Sequence, residues 1–132
     1  MHTRGLMSIS AAFLGGIGLS LSFLPQETLG ALGVPPLTAL VILVQVTGAL
    51  CLGFAIMNWM ARGVLMGGIY SRPLAIGNFL HFAVVAVTLL KTMTALDTIL
   101  LVAVAAVYTV LAAWFGLVLF TSPVRDRDGG SG

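Results

Sequence analysis

Asn78 and His81 stand three residues apart in one apolar stretch, and Asn58, in another, stands four residues before Arg62 just past its end. At helical spacing each pair lies on one face of its segment. Amide, imidazole and guanidinium groups on facing helices can do two kinds of chemistry. They can hydrogen-bond to one another, each contact contributing roughly 0.6–2 kcal/mol where water does not compete. They can also line a pocket for a lipid headgroup or a small amphiphile. An ionisable group inside an apolar segment is costly, which makes His81 a functional candidate, although neutral imidazole costs far less than Asp or Lys. Counting about 1.5 Å per residue puts Asn58 and Asn78 at similar depth, His81 a turn deeper and Tyr108 above them. The candidate ligand-binding set is therefore Asn58, Arg62, Asn78, His81 and Tyr108, with Thr47 and Cys51 continuing one stripe and Thr88 the other. Gln45 faces away from this stripe and is assigned to a helix–helix bond or an oligomer contact.

The same residues exclude much. No Asp or Glu lies within any apolar stretch, and a small proton-coupled antiporter needs such a carboxylate. One His and one Cys within those stretches cannot make a haem or metal site. A single cysteine, Cys51, forbids an intrachain disulfide and paired-thiol redox chemistry and reads as a small buried hydrophobe. No Ser-His-Asp set and no phosphate-binding or nucleotide-binding glycine loop is present. No cofactor and no metal are expected. A membrane-embedded enzyme using His81 as acid or base stands as an alternative to a non-enzymatic binding protein.

The elements that carry these residues are four long apolar runs, near 5–24, 37–61, 73–90 and 98–120, none containing Asp, Glu, Lys or Arg. A hydrocarbon core of roughly 30 Å needs about 20 apolar helical residues to cross it. In lipid only helices or closed barrels satisfy their own backbone groups, and continuous rather than alternating runs exclude the barrel. With 59% hydrophobic and 8% charged residues in 132, the chain departs far from a soluble domain. The expectation is an all-α, integral membrane four-helix bundle over residues 1–122, with a disordered cytoplasmic tail at 123–132. The net charge of +2 comes from connections and ends, and nucleic acid is not expected as a partner.

Orientation follows from the basic residues. Four crossings place Arg4, Arg62, Arg72, Arg125 and Arg127 at one end, leaving only Lys91 at the other. By the positive-inside rule the first end is cytoplasmic, so both termini are expected there, with Trp59, Tyr70 and Trp114 as an aromatic belt. Pro25 ends the first helix, Pro35 and Pro36 lead into the second, and Pro73 suits the first turn of the third. Asp97 can cap the fourth, and Pro123 follows it. The outer connection at 26–34 is read as a short surface helix, and the inner one at 62–72 as a flexible interfacial segment. The N-terminal run has some features of a secretory signal. It is long for a signal core and lacks a small-x-small site before Pro25, so it is read as a retained span.

Membrane helices associate through close backbone approach. Ser8, Ala12, Gly16 and Ser20 recur every four residues in the first helix, with Ala11 and Gly15 beside them. Ala49 and Gly53 in the second and Ala112 and Gly116 in the fourth offer matching surfaces. Packing within the chain is the expectation, with a homo-oligomer seam as the alternative.

The stretch containing Leu24 and Pro25, then Leu32, Gly33, Val34 and Pro35, then Gly48, Ala49 and Leu50, resembles the small bacterial membrane proteins grouped as DoxX-like. The likeness continues through Asn58, Trp59, Met60, Ala61 and Arg62 to Gly77, Asn78, Phe79, Leu80 and His81. It implies a four-helix bundle in a bacterial inner membrane and transfers no catalytic residues. The positions it matches include Asn58, Arg62, Asn78 and His81; Tyr108 lies outside it. The resulting expectation is a small, non-enzymatic multipass protein binding membrane lipid or an apolar small molecule, or serving a membrane complex as accessory subunit. A small oligomeric transporter or channel is the first alternative.

Overall fold

A computed structural model describes residues 3–64, 71–96 and 98–121. Within them the chain forms α1 (Thr3–Phe23), α2 (Pro25–Ala31), α3 (Thr38–Ala61), α4 (Arg72–Thr92) and α5 (Ile99–Thr121), and no strand. The four long helices have 21 to 24 residues and are apolar enough to cross a membrane. At about 1.5 Å per residue they are roughly 31–36 Å long, enough for a hydrocarbon core of about 30 Å. Their bounds fall within two residues of the runs read from the sequence. The expected cap at Asp97, the belt position Tyr70, most of the inner connection (65–70), Pro123 and the tail at 123–132 lie outside the described residues.

The helices run up and down in turn around a ring. Ser10 of α1 meets Asn58 of α3, while Ser22, near the other end of α1, meets Gln45, so the two are antiparallel. Asn58 and Phe54 of α3 meet Asn78 and His81 of α4. Phe79 and Phe82 of α4 meet Phe120 and Phe115 of α5. Phe13 against Tyr108 closes the ring from α1 to α5, with ring centroids 5.3 Å apart. Leu6, Leu14, Phe82, Leu111 and Phe115 fill the centre. Outward-facing residues such as Leu43, Leu50, Ile56, Val84, Val110 and Leu117 are exposed. Lipid solvates such a surface and water does not.

α1 and α3 are in close contact where Gly18 faces Gly48. A Cβ on Gly48 would come 2.5 Å from Ser22 Oγ and 2.7 Å from its backbone nitrogen. One on Gly18 would come 2.9 Å from the Gly48 carbonyl oxygen. This corrects the packing read from the sequence. Ala12, Gly16 and Ser20 are exposed and Ser8 is half-buried; of the residues read beside them Ala11 is buried and Gly15 faces Ala55, and the closest contact is at Gly18, which was not expected. On α3 likewise Ala49 and Gly53 face outward, and Gly48 and Ala55 face α1. On α5 the expectation holds: a Cβ on Gly116 would lie 3.0 Å from the Phe79 ring, and Ala112 packs against the core.

Local sequence explains the breaks. Leu24, preceding Pro25, is pushed out of helical geometry (φ −127°, ψ 50°), as a residue before proline is. Pro25 then opens α2, so the residue expected to end one helix also starts the next. The expected short outer helix is therefore present, with Pro25 and Leu29 buried. It ends in a Schellman turn: Val34 N–H donates to the Leu29 carbonyl (2.9 Å), Gly33 N–H to the Gly30 carbonyl (3.0 Å), and Gly33 takes φ +71°. A left-handed residue of this kind favours glycine.

Candidate functional site

Near the end of the bundle that carries Arg4, Arg62 and Arg72, α3 and α4 are joined by two amides. Asn58 Nδ2 donates to Asn78 Oδ1 at 2.6 Å, and Asn78 Nδ2 donates to Asn58 Oδ1 at 2.7 Å. The remaining amide protons are also used. Asn58 Nδ2 donates to Ser10 Oγ at 3.0 Å, and Asn78 Nδ2 donates to the Leu74 carbonyl at 3.0 Å. Ser10 Oγ passes its own proton to the Met7 carbonyl at 3.0 Å. Ser10, Asn58 and Asn78 are each 0% exposed. The network ties α1, α3 and α4 at one level and leaves no amide proton for a ligand. Its closure matters because an unpaired amide in hydrocarbon costs several kcal/mol.

His81 lies one turn farther along α4 and makes different contacts. Its ring stacks on Phe54 of α3 at 4.8 Å and stands 5.8 Å from Tyr108 of α5. The residue is half-buried, and its Nε2 is closed off with no hydrogen-bond partner among the described residues. Tyr108 is buried in the core, 5.4 Å from Phe82. An aromatic wall of Phe54, Phe82 and Tyr108 thus surrounds an imidazole with an unused nitrogen.

The structure therefore brings Asn58 and Asn78 together directly, with His81 and Tyr108 next to one another a turn away. Arg62 goes elsewhere. It follows the last turn of α3, where carbonyls lack partners, and its Nη1 donates to the Trp59 carbonyl at 2.6 Å. Its guanidinium lies 3.8 Å over the Trp59 ring, a cation–π geometry. The polar stripes stop early. Thr47 and Thr88 are exposed and donate to carbonyls of their own helices, Leu43 and Val84. Gln45 reaches across to α1, with Nε2 3.4 Å from the Ser22 carbonyl, as a helix–helix contact.

Ser10 was not among the residues singled out from the sequence. The signal was there: Leu6, Ser10, Leu14 and Gly18 recur every four residues, which puts Ser10 on the face of two large core side chains. Phe54 and Phe82, which build the aromatic wall with Tyr108, were hidden among other apolar residues. Among the described residues no group of three or more His, Cys, Asp or Glu stands close enough to hold a metal. No protein-family model matches the chain, and comparison with curated proteins and with solved structures finds nothing similar.

Proposed function

We propose that this chain is a small, non-enzymatic multipass protein of a bacterial inner membrane, both termini cytoplasmic, that binds a membrane lipid or an apolar small molecule. The likeness of residues 24–81 to DoxX-like proteins belongs to the same proposal, as does service as accessory subunit of a membrane complex. One observation carries the binding reading: His81 Nε2 has no partner while every amide proton of Asn58 and Asn78 has one. A group left unpaired in a medium without water is stabilised by any ligand that brings a complementary donor or acceptor. In this reading the amide pair holds α3 against α4, and the ligand meets His81 beside Phe54 and Tyr108.

Native mass spectrometry from mild detergent tests this. The wild-type chain should retain one lipid or apolar adduct, and His81→Phe, which keeps a ring against Phe54 but removes both nitrogens, should lose it. The same adduct in both proteins, or none in wild type, counts against a ligand at His81.

A further inference from the structure

The arginines at one end of the bundle have a geometry that the His81 reading does not use. Ser10, Asn58 and Asn78 are hydrogen-bonded and so lie at one level on three adjacent helices. Arg4 precedes Ser10 by six residues, Arg62 follows Asn58 by four, and Arg72 precedes Asn78 by six. Because the helices alternate in direction, all three displacements run toward the same end. At about 1.5 Å per residue they put the three arginines roughly 6–9 Å beyond the amide layer. That places three positive charges around one rim of the bundle.

No carboxylate among the described residues answers them. Glu27 is the only described acidic residue, and it sits at the opposite end in α2. The tail that follows α5 carries Arg125 and Arg127 with Asp126 and Asp128, so its own charges cancel. Arg62 is moreover fixed in place: one nitrogen is bonded to the Trp59 carbonyl and the planar group rests on the Trp59 ring. A guanidinium held this way keeps its other donors available in a fork that matches phosphate oxygens, and it loses little rotamer freedom on binding. Trp59 is itself exposed at this rim, where an indole suits the headgroup level.

We propose that Arg62, with Arg4 and Arg72, forms a binding site for a phosphate anion, the headgroup phosphate of an anionic phospholipid in the adjoining leaflet. The site rests on the membrane reading above but not on the ligand at His81. Basic residues near a leaflet surface each favour anionic lipid by about fivefold. The guanidinium over Trp59 makes that preference local to one rim.

Trp59 provides the readout. In a Trp114→Phe background it is the only tryptophan of the two in the chain. The protein is reconstituted in vesicles of brominated phosphatidylcholine or brominated phosphatidylglycerol, mixed with their unbrominated counterparts, and quenching of Trp59 gives the relative affinity. The expected preference for the anionic lipid is about fivefold or more. Arg62→Gln with Arg72→Gln should lower it at least about fivefold, while Lys91→Gln, at the other end of α4, should leave it unchanged. If that double variant does not fold, Arg4→Gln with Arg72→Gln, two exposed positions, should lower the preference in the same direction. A preference that survives loss of the arginines, or none in the parent, overturns the site. Loss of the preference on adding millimolar inorganic phosphate at constant ionic strength assigns the site to a soluble anion and overturns the lipid as occupant. Quenching by neither brominated lipid overturns the membrane reading itself.

Discussion

Replacing Asn78 with Leu removes both bonds of the amide pair, at 2.6 and 2.7 Å, and strands one N–H and the Oδ1 of Asn58 in the core. Interhelical hydrogen bonds in membranes contribute about 0.6–2 kcal/mol each, so two of them predict a loss of roughly 1–4 kcal/mol. Asn58→Leu should cost at least as much, since it also breaks the bond to Ser10. The double variant is the decisive member of the set. With both amides gone nothing buried is left unpaired between α3 and α4, and replacing both partners by apolar groups can be nearly neutral. The two effects should therefore be strongly non-additive, with a coupling of about 1–3 kcal/mol. Reversible unfolding of the four proteins in mixed micelles, titrated with a denaturing detergent and followed by circular dichroism, measures it. Additivity within about 0.5 kcal/mol would mean the amides do not act as a pair.

Gly48→Val should destabilise the bundle by at least about 1–3 kcal/mol, read as a lower temperature of aggregation in detergent, because its Cβ would lie 2.5 Å from Ser22 Oγ. Gly16→Ala and Gly53→Ala, where a Cβ meets nothing within 4 Å, should be neutral or stabilising by up to about 1 kcal/mol. Ser10→Ala leaves one Asn58 N–H unpaired and should cost about 1 kcal/mol in the same detergent titration, less than Asn78→Leu.

The helices were legible because bilayer thickness imposes a length and a composition that a sequence displays directly. The pairing of Asn58 with Asn78 was legible for a related reason: depth along a helix is a count of residues, and polar groups in lipid must find partners. Which face of α1 packs was not. The buried residues Leu6, Ser10, Leu14 and Gly18 recur every four residues just as Ser8, Ala12, Gly16 and Ser20 do, and the two series lie two residues, or about 200°, apart around the helix. Choosing between them needs the partner surface, where Gly48 supplies the second half of the crossing. Arg62 makes contacts the sequence did not display, for a local reason. Its position shares a face with Asn58, but at the end of α3 its side chain finds an unpartnered carbonyl and an indole on its own helix.

The central claim is that these four helices cross a bilayer with the arginine-bearing end inside. Single cysteines at Gln26, Thr94 and Gly63, in a chain whose one native thiol, Cys51, is buried, test it in intact cells with a membrane-impermeant maleimide. Gln26 and Thr94 lie in the connections at the end opposite the arginines, and Gly63 lies just past α3 between Arg62 and Arg72. Labelling at Gln26 and Thr94, with Gly63 labelled only after the cells are opened, is the predicted result. Labelling of Gly63 in intact cells without the other two would turn the bundle over, and labelling of all three would contradict a four-span protein.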